Sequence, residues 1–197
     1  MESIGDAPST LVDAFVNKVN SEPREPLWPE QVPVPLREDG AYVWYPDVQT
    51  GWRILADDNS DRIAALQSRI GRRFPPSFLN FICRYSFPAF ECGPLLFFAN
   101  HREETHWDLS RKLFLDPIMS PLLLGAGFIQ IGNPFIPNYD PVCFDCNSAA
   151  GESPLVQLDH EAILCDREIR MTTVVSPSFI DFLKASLDGK FGTQATG

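Results

Sequence analysis

A short apolar run bounded by glycines, Gly127-Phe128-Ile129-Gln130-Ile131-Gly132, most constrains how this chain can fold. Bulky β-formers between two glycines mark a buried strand rather than a helix. From there on the chain is β-rich, with strands predicted near 128–131, 141–145, 154–158, 162–165 and 170–175. The pattern then switches to helical spacing: Phe179, Ile180, Leu183 and Leu187 share one face, Ser176 is the expected cap, Pro177 the first helical position and Gly189 the stop.

Upstream of this β-rich stretch the signals are mainly helical. Leu11, Val12, Phe15, Val16 and Val19 recur at helical spacing behind a Thr10/Asp13 capping box. Residues 21–37 carry Pro23, Pro26, Pro29, Pro33 and Pro35, which forbid regular helix and central strand alike. Leu27, Trp28, Val32, Val34 and Leu36 give that connector apolar anchors. Segments 41–45 and 51–55, both rich in β-formers, predict a hairpin. A second helix is expected from a Ser60 cap through Ile63, Leu66 and Ile70 to Gly71, and a third from a Ser77 cap through Phe78, Phe81, Ile82 and Tyr85. Leu95 to Phe98 reads as a strand, and Thr105 to Asp108 as a capping box for a helix that Asp116-Pro117 ends.

At 197 residues the chain has room for one good core and not for two. The expected architecture is a single α+β domain, a twisted and mostly antiparallel sheet with helices packed against it. Residues 1–62 would form an N-terminal helix, connector and Trp-rich hairpin on a core of residues 63–188, with 189–197 a frayed tail. No apolar stretch is long enough to span a bilayer, and the acidic start, Met1 to Asp6, lacks the basic and apolar regions of a secretory signal. A cytoplasmic protein is the expectation.

The formal net charge of −10 argues against direct nucleic-acid binding, which needs a basic footprint. Residues 1–62 hold 12 acids and 5 bases, so the negative charge is concentrated at the front, where it can steer a basic partner. Trp28, Tyr42, Trp44, Tyr45 and Trp52 lie in the same section and suit interface anchoring or sheet cover.

Chemical motifs are sparse. Cys143, Cys146, His160 and Cys165 give C-x₂-C followed by H-x₄-C, close to a zinc arrangement, although residues i and i+3 of a strand point to opposite faces. Five cysteines do not make a disulfide framework, and Cys83 and Cys165 lie in apolar runs, as core thiols do. His101, Glu103, Glu104 and His106 imitate a metal patch without H-E-x-x-H spacing. The run 57–61 has calcium-type oxygens but lacks the EF-hand glycine and glutamate, so capping is the better account. There is no nucleophile elbow, phosphate loop or dinucleotide fingerprint. The expectation is a protein without catalysis, metal or cofactor.

From Ile63 to Leu187 the order of segments resembles the SUKH superfamily, the Smi/Knr-like proteins. The matching stretches are Ile70 to Pro75, Ser77 to Ile82, Phe128 to Gly132, Asp140 to Asp145, Val156 to Glu161 and Ser178 to Leu183. The front sixty residues lie outside that common core and look somewhat like the Syd branch. The resemblance implies a binding protein, most often a bacterial immunity protein that occludes a cognate toxin such as a nuclease. Alternatives are a regulatory scaffold, a Syd-like protein associated with a membrane translocon, and a zinc protein using the four residues above. Candidate partner-binding residues, chosen for acidity or aromatic character, are Trp44, Trp52, Asp57, Asp58, Glu91, Asp140 and Asp145.

Overall fold

The computed structural model describes residues 8–23, 26–37, 50–103, 105–135, 138–147 and 151–191. It has an α+β architecture, with six α-helices around a six-stranded antiparallel sheet and a separate two-stranded one. The large sheet is a meander in which each strand pairs with its sequence neighbour: β3 (Phe90–Cys92), β4 (Leu95–Phe97), β5 (Phe128–Pro134), β6 (Val142–Asp145), β7 (Leu155–Leu158) and β8 (Met171–Ser176). The small sheet joins β1 (Leu55–Ala56) to β2 (Tyr85–Ser86).

Strand alternation sorts the sheet's side chains onto two covered faces. Ile129, Ile131, Val142, Phe144 and Leu155 join the main core. Phe128, Cys143, Val156 and Leu158 turn the other way, onto Leu123 and Ile163. The main face is covered by α1 (Pro8–Ser21), α3 (Pro76–Arg84) and α6 (Phe179–Leu187), and α2 (Ser60–Ile70) packs on α3. The opposite face is covered by α5 (Met119–Gly125) and a π-helical turn at Ala162–Asp166, with α4 (Leu109–Leu115) beside α5.

Aromatic packing dominates this core. Phe15, Phe78, Phe81, Phe87, Phe90, Phe97, Phe144, Phe179 and Phe182 are all under 2% exposed. Phe81 stacks on Phe87 at 4.6 Å between ring centroids, while Phe78 meets Phe179 edge-on at 5.1 Å. Such pairs add about 0.5–1.5 kcal/mol beyond the area they bury. Gly132 is demanded by this packing, since a Cβ there would overlap the Leu96 carbonyl oxygen, and the β5–β6 register shifts between Gln130 and Gly132.

The N-terminal section shares the same core. Leu11, Val12, Phe15, Val16 and Val19 of α1 are buried, as are Val32 and Leu36 of the connector. Lys18 Nζ donates to the carbonyls of Ser186 (2.7 Å) and Leu187 (3.1 Å) in the last turn of α6. In the middle of α1, Asp13 accepts from the Tyr85 hydroxyl at 2.7 Å and pairs with Arg84 at 2.8 Å. Phe191 packs on Phe182 with ring centroids 5.0 Å apart; the remainder of the predicted tail, 192–197, lies outside the described residues.

Several local expectations are corrected. The strand predicted at 162–165 is the π-helical turn, which closes at Arg167 with φ of 61°. Of the 41–55 hairpin, 41–45 lies outside the described residues; Thr50 bridges Leu27, Trp52 bridges Arg37, and Leu55 pairs with Ser86. Ser77 is not a cap: its N–H and hydroxyl both donate to Glu152, which reaches α3's N-terminus from across the chain at 2.8 and 2.5 Å. Ser60 gives way to Asn59 at the α2 cap position, and the α6 cap is Ser178, which accepts from the Asp181 N–H. Thr10 sits inside α1. Cys165 is exposed, and Trp28 and Val34 of the connector are 40% and 64% exposed rather than anchored. Among the described residues no helix is long and apolar enough to cross a membrane.

Candidate interaction surface

The N-terminal end of α2 gathers a dense buried polar network among the described residues. Three segments meet there: residues 57–62 at the start of α2, β2, and residues 100–108 leading into α4. Asn59, Ser86, Asn100 and Asp108 are each no more than 1% exposed, and all four are hydrogen-bonded, as buried polar groups require. Asn100 Nδ2 donates to the carbonyls of Ile82 (2.8 Å) and Tyr85 (2.7 Å), satisfying acceptors at the end of α3. Its Oδ1 accepts from the Arg62 guanidinium. Asn59 Nδ2 donates to Ser86 Oγ at 3.1 Å, and that hydroxyl donates to Asp57 at 2.8 Å. Asp108 caps α4, accepting from the Ser110 N–H at 2.8 Å and hydroxyl at 2.5 Å.

Arg62 runs through the middle of this network. Its approach to Asp108, 3.9 Å, is electrostatic rather than a direct hydrogen bond, and Arg62 Nε and Asp108 Oδ2 have no hydrogen-bond partner among the described residues. Burial pulls the Arg62 pKa down, against the opposing charges of Asp108 and Asp57. His101, 7% exposed, is likewise held below its ordinary value by burial, and its Nδ1 accepts from the Glu103 N–H at 3.1 Å, as a neutral ring does.

On the outside of the network stands an acidic rim. Asp58 is exposed and accepts from the Ser60 N–H at 3.0 Å; the Ser60 hydroxyl first and this N–H second hold its pKa below the usual value. Asp57 pairs with Arg102 at 3.4 Å, and Arg102 also donates to the Asp58 carbonyl at 2.7 Å. Asp61 and Glu103 are exposed beside them in sequence. The carboxylates at the helix start also suit the α2 dipole. Sequence reading found Asp57 and Asp58 but missed Asn59, Arg62, Asn100 and Asp108 as a unit, because their coupling joins positions up to 49 apart. Asn100 left one signal: a lone amide closing an apolar strand run.

The remaining candidates do not join this surface. Trp44 lies outside the described residues. Trp52 is 4% exposed against Phe90, 5.4 Å between rings, so it is a core residue and not an exposed anchor. Glu91 is exposed on β3, at one edge of the sheet, opposite Leu96. β6 lies three strands away, about 14 Å at ordinary strand spacing. Asp140 precedes β6 and Asp145 ends it, and the five residue steps between them span about 16 Å.

Asp140 and Asp145 are engaged locally. Asp140 accepts from the His160 N–H at 3.1 Å, His160 Nδ1 at 2.7 Å and Gln157 Nε2 at 2.7 Å. Burial alone would raise its pKa, but the His160 and Gln157 hydrogen bonds outweigh that and hold it low. The pairing fastens the start of β6 to the end of β7. Asp145 accepts from the Asn147 N–H and side-chain amide at 3.1 and 2.9 Å, shaping the turn after β6.

The structure does not bring the four residues of the zinc alternative into one site. Cys143 is fully buried on one face of the sheet and Cys146 packs against the core of the other; His160 turns to Asp140, and Cys165 is exposed. Among the described residues no three His, Cys, Asp or Glu side chains are grouped to hold a metal ion. No protein-family model matches this chain, and no curated protein matches it.

Proposed function

We propose that this chain is a protein-binding module that acts in the cytoplasm as an immunity protein, covering the surface of a cognate basic toxin. The observation that carries the reading is the acidic rim. Asp57, Asp58, Asp61 and Glu103 lie beside a buried hydrogen-bonded network, and Asp57 and Asp58 are oriented by Arg102 and Ser60. A pre-oriented charged rim loses little conformational entropy on docking and accelerates encounter with an oppositely charged partner. The order of segments shared with SUKH proteins supports the same reading.

The test uses the toxin domain encoded beside this gene and measures association by stopped flow between 50 and 500 mM salt. Asp58→Lys with Asp61→Lys is the informative variant, because both side chains are exposed; Asp57 is left intact for its Ser86 bond. The wild type should associate faster at low salt, and the variant should lose about tenfold in rate and most of its salt dependence. A neighbouring toxin that the protein does not bind, or a rate that ignores both salt and variant, would overturn the reading.

A further inference from the structure

The opposite end of α2 carries the opposite charge. Lys18, Arg62, Arg84, Arg102, Arg170 and Lys190 all form ion pairs with carboxylates. Arg69, Arg72, Arg73, Arg111 and Lys112 form none among the described residues, although the chain carries ten more acids than bases. Three of these cations rest instead on aromatic rings or a carbonyl. The Arg69 guanidinium lies 3.7 Å above the Phe114 ring, Lys112 Nζ lies 4.2 Å from the Trp107 ring, and Arg72 Nε donates to the Leu124 carbonyl at 3.3 Å.

Those contacts bring the end of α2, α4 and the end of α5 into one face. On α4, Arg111, Phe114 and Leu115 share a stripe at i, i+3 and i+4. Leu115 is 53% exposed and Ile118, in the α4–α5 turn, 37% exposed. No acid occurs between Arg62 and Phe90, and Asp116, the one acid between Leu109 and Tyr139, already accepts from the Ile118 and Met119 N–H groups. Asp61 is eight residues from Arg69 along the helix, about 12 Å.

We propose that this α2–α4–α5 face docks an acidic, amphipathic segment of a partner protein. A guanidinium held over a ring, as Arg69 is over Phe114, keeps N–H groups free in the fork that matches carboxylates, and the ring contact pre-organises it. Two exposed aliphatic side chains among the cations call for apolar residues between the partner's acids. A phosphate backbone offers nothing to Leu115 and Ile118, and the negative charge over the rest of the chain repels both nucleic acid and an anionic bilayer. This face is separate from the acidic rim and recognises the opposite charge, so either assignment can fail without the other.

The probe is a fluorescein-labelled helical peptide of about sixteen residues, with Glu and Leu at i, i+3 and i+4 spacing, followed by anisotropy. Binding should be micromolar at 50 mM salt and at least tenfold weaker in Arg69→Glu with Arg111→Glu. Leu115→Asp, one exposed residue, should weaken it at least fivefold and guards against a folding defect in the double variant. Arg53→Glu with Lys184→Glu, two exposed cations elsewhere, should change it less than twofold. No binding of the peptide, binding unmoved by the face variants, or tighter binding of a 20-base-pair duplex or of phosphatidylserine vesicles would overturn the proposal.

Discussion

Replacing Asn100 by alanine should be among the most damaging polar substitutions in this protein. The amide is fully buried and serves three elements: it donates to the Ile82 and Tyr85 carbonyls and accepts from Arg62. Truncation removes a donor from two carbonyls, at about 1–3 kcal/mol for Ile82 and less for Tyr85, which keeps a 3.4 Å bond from Asn59 Nδ2. Losing the bond to Arg62 adds about 1 kcal/mol, discounted because that side chain is 25% exposed and water can reach it. Allowing for relaxation, the total is about 3–4 kcal/mol, which lowers the melting temperature of a chain this size by about 10 °C. Urea titration followed by tryptophan fluorescence and far-UV circular dichroism would show a lower midpoint with an unchanged slope. Asn100→Asp keeps the volume and the Arg62 bond but aims an oxygen at both carbonyls, so it should be at least as harmful. Arg62→Met combined with Asn100→Ala should show a coupling of about 1 kcal/mol or more. If both single variants at Asn100 cost less than about 1 kcal/mol, the network does not hold α3's end as described.

Other substitutions test separate parts of the fold. Gly132→Ala should cost about 2–3 kcal/mol in a urea titration, because the Leu96 backbone cannot withdraw without breaking the β4–β5 pairing. Glu152→Ala should cost about 1–2 kcal/mol by loss of the α3 cap, measurable as a lower melting temperature. In a pH series, His101 has a native pKa below its ordinary 6.5, so protonation favours the unfolded chain and stability should fall as pH drops below about 6.5; His101→Gln should flatten that decline. Asp140 has a depressed native pKa, so its contribution is complete above the usual aspartate value near 3.9 and disappears as pH falls through the native value; Asp140→Asn should lessen the acid loss there. With iodoacetamide at pH 8, exposed Cys165 should react first by mass spectrometry, while Cys92, pushed up to about 11 by burial, should lag by orders of magnitude.

Elements whose stability is local were legible in the sequence. The apolar stripes of α1, α2, α3 and α6, and the strands at 128–134, 142–145 and 155–158, follow from spacing alone because burial of one face selects the period. Features depending on distant partners were not. β1 and β2 have two residues each and exist through their mutual pairing. α5 hides behind Pro121 and two nearby glycines, although Pro121 falls in the first turn, where it is tolerated. Glu152 capping α3 and Asn100 capping its far end are tertiary replacements for local caps. At the candidate surface, acidity was visible as composition, but Trp52 looked like an anchor because sequence does not show Phe90 beside it.

The bond from Lys18 to the end of α6 spans 168 sequence positions. At about 5–20 residues per second, the first helix leaves the ribosome roughly ten to thirty seconds before its docking partner is synthesised. During that interval its stripe of Leu11, Val12, Phe15, Val16 and Val19 has only α3, whose Phe81 meets Phe15 at 5.8 Å, as its native helical cover. Fusing the two termini by circular permutation, with new ends at an exposed loop, should therefore raise the yield of folded protein made at high expression rates.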